Sequence, residues 1–214
     1  MNEELLAILK QRYPLTECDC GEFAALKANG MRFSIRAFDA KGLGHVSAME
    51  AKGMFGLVRM DTLIVNPTEK DLPLYSYDRM KMFGRDILIL ELYQTTLAPC
   101  ELQNVVAVAD AYRDLGVYDP GKHWYDDLKH PACVYHQDKK TAAARMDALV
   151  KAHFAAFAAS DAPACDPAEK RKKASVYVEG LLKNGGPSTD VFLKAIGPEK
   201  TGRLFRGILF GTEA

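Results

Sequence analysis

Residues 50–97, EAKGMFGLVRMDTLIVNPTEKDLPLYSYDRMKMFGRDILILELYQTTL, decide the fold. The run Leu57–Val65 is rich in β-formers, and Pro67 ends it. A second run, Leu72–Met80, reaches a Phe-Gly-Arg-Asp turn, and a third, Ile87–Tyr93, returns from it as a hairpin. Strand side chains alternate between faces, so Leu72, Leu74, Ser76, Asp78 and Met80 share one side of the middle strand. Asp78 therefore points where its neighbours are apolar or small. A carboxyl group held there has a raised pKa and can deliver a proton near neutral pH. The plain alternative is a structural ion pair with Arg79, Lys81 or Arg85 at the strand end.

Working outward, Met31, Phe33, Ile35 and Ala37 alternate with Arg32, Ser34 and Arg36, which is again the period of a strand. Gly42-Leu43-Gly44 turns the chain into another strand around His45–Ala51, and Gly53 and Gly56 mark a turn or bulge. Connections this short require antiparallel pairing. Residues 31–94 thus read as an antiparallel meander of about five strands. Ahead of it, a helical segment over residues 1–30 contains a short amphipathic helix at 3–12, with Leu5, Leu6, Ile8 and Leu9 as its stripe.

Residues 95–214 read as mainly helical. Helices are expected at Glu101–Leu115, ended by Gly116, and at Lys139–Phe157 behind Asp138. Asp166-Pro167-Ala168-Glu169 is a strong start signal, with a capping Asp, Pro in the first turn and Glu at the third position. That helix runs to about Lys183 and stops at Asn184-Gly185-Gly186. Ser188 or Thr189 caps another that ends near Gly197, and Lys200–Phe210 forms the last. Residues 116–136 read as a long loop. Strands first and helices later give an α+β class, here a single domain over 1–214 with helices packed on the sheet.

With 28 basic and 28 acidic residues, the chain has no global field for nucleic acid or anionic lipid. It has no run approaching the roughly 18 apolar residues of a membrane span, and two acids precede the short apolar stretch of its N-terminus. Cys18, Cys20, Cys100, Cys133 and Cys165 are odd in number and scattered, which suggests a reduced, cytoplasmic protein. His123, His130, Cys133 and His136 invite a metal reading, but HPACVYH does not match common zinc spacings, and no metal is expected. There is no phosphate-binding glycine loop and no GxSxG motif, so nucleotide binding and serine hydrolysis are poorly supported. The basic run Lys170-Arg171-Lys172-Lys173 reads as a solvated helix face or as a patch for an acidic partner.

Residues 66–96, NPTEKDLPLYSYDRMKMFGRDILILELYQTT, resemble the ferredoxin-dependent bilin reductase family, which includes the red chlorophyll catabolite reductases. Pro67, Leu72-Pro73-Leu74-Tyr75, Asp78 and the return strand Ile87–Tyr93 carry the resemblance. A second patch, VFLKAIGPEKTGRLFRGILF at 191–210, is similar to the family's C-terminal helices. The resemblance implies an α/β/α sandwich, a central antiparallel sheet flanked by helices, with an open-chain tetrapyrrole between sheet and C-terminal helices. It implies no bound flavin or metal, single electrons from reduced ferredoxin, and protons from side chains.

Asp78 falls on the family's catalytic aspartate, and Glu50 on a catalytic glutamate of one branch. Thr62 stands where that branch has a histidine, which argues against that branch's double reduction. Thr62, Asn184, Tyr75 and Met60 are the substrate-binding positions implied. Arg79, Lys81 and Arg85, with Lys170–Lys173, are candidates for docking acidic ferredoxin. The resemblance leans to a monomer or homodimer. The alternative within the same fold is a pigment carrier or sensor without chemistry, and a third reading has no small ligand at all.

Overall fold

The computed structural model describes residues 1–213, with all side chains among them except those of Lys140 and Pro187. A sheet of eight antiparallel strands divides the molecule: β1 (Leu15–Cys18), β2 (Ala25–Ala28), β3 (Met31–Ala40), β4 (Gly44–Gly53), β5 (Val58–Asn66), β6 (Leu74–Met82), β7 (Arg85–Tyr93) and β8 (Val134–Lys139). The order is β1-β3-β4-β5-β6-β7-β8, with β2 sharing the outer edge of β3. Five helices flank it: α1 (Asn2–Lys10), α2 (Gln103–Asp110), α3 (Ala143–Ala158), α4 (Pro167–Asn184) and α5 (Pro187–Arg203). This is the α/β/α sandwich with a central antiparallel sheet.

Alternation along each strand builds two separate cores. Tyr75, Tyr77, Leu88 and Leu90 join Leu5, Leu9, Met146 and Phe154 on the side of α1, α2 and α3. Met49, Ile64, Leu74 and Tyr93 join Tyr177, Leu181, Phe192 and Phe205 on the side of α4 and α5. Leu72 departs from the expected face. It precedes the first residue of β6, where strand alternation no longer governs it, and packs with the first core.

The five-strand meander is found as β3–β7, and β6–β7 turns through Phe83 (φ 47°) and Gly84 (φ 82°). Two positive φ values in a two-residue loop suit the right-handed twist of the flanking strands, and the return strand begins at Arg85 rather than Ile87. Three strands lie outside the expected meander. β1 and β2 occupy the N-terminal segment read as helical, and β8 lies in the region read as loop and helix. Because Val134–Lys139 pairs with Arg85–Leu90, the helix expected from Lys139 starts only at Ala143. The helix expected at 101–115 shortens to Gln103–Asp110.

Asp166 caps α4 as expected, its Oδ1 accepting from the amides of Ala168 and Glu169, each at 2.9 Å. Among the described residues no side chain caps α5, Ser188 and Thr189 included. That helix breaks at Gly197 (φ 80°), where its end was expected, and the expected last helix follows the break, closing in a wide π-type turn, Leu204–Leu209. The turn is tied to the sheet by side chains of β4 and β5. His45 Nε2, Ser47 Oγ and Asn66 Nδ2 donate to the carbonyls of Ile208, Leu209 and Phe210 at 2.8, 2.7 and 2.7 Å. Gly211 follows at φ 57°, where a Cβ would meet the His45 ring at 2.3 Å. The C-terminal segment is thereby fixed over one end of the second core.

Candidate active site

Where α4, the π turn and the loop 118–125 stand over β4–β7, the second core opens into a cleft of about 1020 Å³, mouth included. Its floor is three cross-strand rows on one face of the sheet. Met49, Thr62, Asp78 and Ile89 form the middle row; Met60 pairs with Met80 on one side, and Ser76 with Glu91 on the other. Tyr177, Leu181, Phe205 and Leu209 close the opposite side, and His123 and Tyr125 contribute from the loop. The wall is mostly methionine, aromatic and aliphatic, with few polar groups. That composition suits a large flat organic ligand oriented at a small number of points.

Asp78 is one of those points. Its Oδ1 accepts from Thr62 Oγ1 at 2.5 Å and its Oδ2 from Ser76 Oγ at 3.0 Å. Among the described residues no cation pairs with it: of the expected alternative partners, Arg79 and Lys81 point to the other side of the sheet, and Arg85 forms no ion pair with it. Burial therefore dominates and pushes the carboxyl up to about 6, against the pull of the two hydroxyls and with a push from Glu91. At pH 7 roughly a tenth of such groups hold a proton, and at pH 6 about half. Asp78 is thus an acid that can give and regain a proton near neutrality while facing the cleft.

Glu91 is a second carboxylate on the same floor, and it is held quite differently. Tyr93 donates a short hydrogen bond to it, Tyr135 donates another at 2.8 Å, and Lys129 Nζ lies 3.1 Å away. Lys129 also reaches Asp126 at 2.8 Å, near the surface. Tyr93 stacks on Tyr177 with ring centroids 4.2 Å apart, and Tyr125 meets both edge-on. Burial raises the phenols of Tyr93, Tyr125, Tyr135 and Tyr177, so all four are neutral donors at physiological pH. Sequence reading passed over Glu91. Its signal was the period of β7, which places Ile87, Ile89, Glu91 and Tyr93 on one face.

Of the residues named from the sequence, Asp78, Thr62 and Met60 meet in the cleft. Tyr75 does not: it lies on the opposite face, fully buried, with its hydroxyl 3.0 Å from His153 Nδ1. Glu50 also lies on that opposite face. It pairs in register with Asp61 and sits 3.5 Å from Lys52, while Met49 takes the place across from Thr62. Asn184 is exposed at the end of α4, and the cleft is lined instead by Gly186, Ser188 and Thr189.

The docking candidates divide in the same way. Arg79 is buried between Asp86, at 2.7 and 2.8 Å, and Asp147. Lys170 is buried as well, donating to the carbonyls of Leu72 and Thr95 at 2.7 and 2.8 Å and pairing with Asp71 at 3.2 Å. Both are structural clamps. Lys81, Arg85, Lys172 and Lys173 remain exposed, and Arg171 is half-buried. His130, in the loop, bonds to Cys100 O, and His136, on β8, to Gly116 O, so neither joins His123 at the cleft. The five cysteines are free thiols.

No protein-family model matches the sequence, and no curated protein matches it. Among solved structures, phytochromobilin synthase from tomato, crystallised in complex with biliverdin, superposes with a TM-score of 0.74. The match covers 99% of this chain and 83% of that one, at 11% identity. This chain has the fold of phytochromobilin synthase. The sandwich expected from the bilin reductase resemblance is therefore found, across nearly the whole chain. At this identity the likeness to phytochromobilin synthase is one of fold, and the roles of side chains rest on their own geometry.

Proposed function

We propose that the chain reduces a linear tetrapyrrole, with Asp78 as proton donor and reduced ferredoxin as the source of electrons. The observation that carries this reading is a carboxyl group facing an apolar cleft with two hydroxyl partners and, among the described residues, no cation, an environment that pushes it up to about 6. The fold adds support, since phytochromobilin synthase was crystallised with biliverdin.

Reducing one double bond of a conjugated tetrapyrrole consumes two electrons and two protons. An added electron makes the ring system more basic, and a neutral acid beside it then completes the step by proton transfer. Asp78 supplies one proton, is left as carboxylate, and regains a proton from solvent through the cleft mouth. Its two hydroxyl donors hold the carboxylate that forms. The second proton comes from solvent by way of Lys129, which stands behind the cleft floor against Glu91, where the Tyr93 and Tyr135 hydroxyls also donate. The stacked tyrosines and facing methionines provide flat, polarisable walls for the pyrrole rings.

The rival reading is a carrier or sensor that binds the pigment without reducing it. One observation favours it: Glu50 lies across the sheet from the cleft and Thr62 stands where a histidine is found in one branch, so two acid groups implied by the resemblance are missing. An absorbance titration with biliverdin, followed by anaerobic addition of reduced ferredoxin, separates the two. Saturable, red-shifted binding followed by decay of the bilin band is expected. Binding without decay would favour the carrier, and no binding would sink both.

A further inference from the structure

Five cations stand in one row across five neighbouring strands. In register, Lys27 faces Arg32, Arg32 faces Lys52, Lys52 faces Arg59 and Arg59 faces Lys81, all on the α1 side of the sheet. All five are exposed, and four strand spacings make the row about 19 Å long. Like charges directly opposite one another destabilise a sheet. The row is scarcely neutralised: Lys52 lies 3.5 Å from Glu50 and Lys81 lies 4.0 Å from Asp86. Among the described residues, Lys27, Arg32 and Arg59 form no ion pair. Folding alone gives no reason for such an arrangement.

At the end of the same strands, two adjacent turns carry apolar side chains into solvent. Met54, Phe55 and Leu57 belong to the β4–β5 turn and Phe83 to the β6–β7 turn; each is more than half exposed, and Phe55 fully so. The turns are neighbours because Val58 pairs with both Gly53 and Met82. Met54, Phe55 and Phe83 have φ of 47°, 55° and 47°. Bulky residues rarely adopt the left-handed region, at a cost of order 1 kcal/mol each, so strain is retained where these side chains meet solvent. An apolar centre with a cationic margin has the make-up of a protein interface. Phe83 lies three residues, about 10 Å, from Met80 in the cleft wall.

We propose that this edge, with Phe55 and Phe83 at its centre and the row from Lys27 to Lys81 as its margin, is the docking surface for an acidic electron-carrier protein. That the partner is an electron carrier rests on the reduction proposed above, which gives such a protein reason to dock close to Met60 and Met80. A row of discrete cations suits fixed carboxylates on a partner protein's surface. The surface replaces Arg79 and Lys170, which are spent inside the fold.

The test uses the full chain and a plant-type [2Fe–2S] ferredoxin as the probe, with calorimetry at about 50 mM and about 500 mM salt. The wild type is expected to bind at low salt and to lose about tenfold or more in affinity at high salt. The triple variant Lys52→Glu, Arg59→Glu, Lys81→Glu should lose at least tenfold at low salt, and Phe55→Ser with Phe83→Ser should bind weakly at both. None of these residues lines the cleft, so biliverdin affinity in each variant should match the wild type, which also reports on folding. A triple variant that binds ferredoxin like the wild type would overturn the proposal, as would a wild type that does not bind it. Sedimentation with phosphatidylglycerol vesicles that is lost in the triple variant, without ferredoxin binding, would assign the surface to an anionic bilayer instead. Ferredoxin binding without biliverdin binding would sink the bilin reading and leave the surface. Biliverdin binding without ferredoxin binding would do the reverse.

Discussion

On one side of β6, Tyr75, Tyr77 and Arg79 are packed into a filled core; on the other, Ser76, Asp78 and Met80 face an open cleft. The charged groups of the two sides are treated in opposite ways. Arg79 is fully paired, with Asp86 and Asp147 closing on its guanidinium. His153, above Tyr75, is equally settled: its Nε2–H donates to Ala132 O at 2.9 Å, which leaves Nδ1 to accept from the Tyr75 hydroxyl. Asp78, half-buried where it faces the cleft, has no cation partner among the described residues. A buried charge with its partner is architecture, whereas a buried carboxyl left with two hydroxyls is free to exchange a proton.

The largest expected effect breaks the cleft side alone. Asp78→Asn keeps the shape and the hydroxyl partners but carries no exchangeable acid proton. Turnover with biliverdin and reduced ferredoxin should fall by about 10²–10⁴-fold, while absorbance titration gives an affinity close to the wild type. An Asn variant that turns over at the wild-type rate would remove Asp78 from the mechanism. On the other side, Arg79→Met strands Asp86 in the core without its partner. Denaturant unfolding should register a loss of about 3–5 kcal/mol, with the bilin spectrum of the folded fraction unchanged.

The contrast sharpens in the pH dependence of stability. Asp78 is raised from 3.8 to about 6 in the folded chain, so the native state binds more protons than the unfolded state between those values. It costs stability above pH 6, and the cost disappears as pH falls to about 4. Its full size is about 3 kcal/mol by linkage, and access of water from the cleft reduces it to about 1–2 kcal/mol. Asp78→Asn should therefore be more stable than the wild type by about 1–2 kcal/mol at pH 8, the difference closing by about pH 4.

His153 works in the other direction. Burial lowers it from 6.5 to about 4, so the unfolded state takes up the proton first, and stability is lost as pH falls through that window. Parallel unfolding curves for the wild type and Asp78→Asn at every pH would contradict this account of Asp78. The smallest expected effect is Tyr75→Phe, which leaves His153 Nδ1 without its donor. A loss of about 1–2 kcal/mol in the same assay is expected, with turnover unchanged; a change in bilin affinity would return Tyr75 to the site.

How much of this could be read from the sequence follows from the range of the forces involved. Strand parity is local, and it put Ser76, Asp78 and Met80 together correctly. Parity also excludes Tyr75 and Arg79 from that face, since each is an odd number of residues from Asp78, and it separates Glu50 from Met49. Positions carried over from a resemblance did not respect it. Asn29-Gly30, with φ of 48° and 73°, turns the β2–β3 hairpin, and this dipeptide is among the strongest hairpin signals. The strand before it, ALKA, lacked β-formers and went unread.

β8 was not legible, because VYHQDK becomes a strand only by pairing with β7. The burial of Lys170 was hidden for the same reason: its run reads as a solvated basic face until the carbonyls of Leu72 and Thr95 are placed beside it. The cleft itself depends on α4 and the π turn standing over strands more than seventy residues away in the chain.

The most direct measurement is a pH titration of the Asp78 side-chain carboxyl by ¹³C NMR, its resonance assigned by its absence in Asp78→Asn. A midpoint near 6 is expected, set by burial without a cation. A midpoint near 4, that of an ordinary solvated aspartate, would contradict the claim that this face of the sheet holds a proton for chemistry.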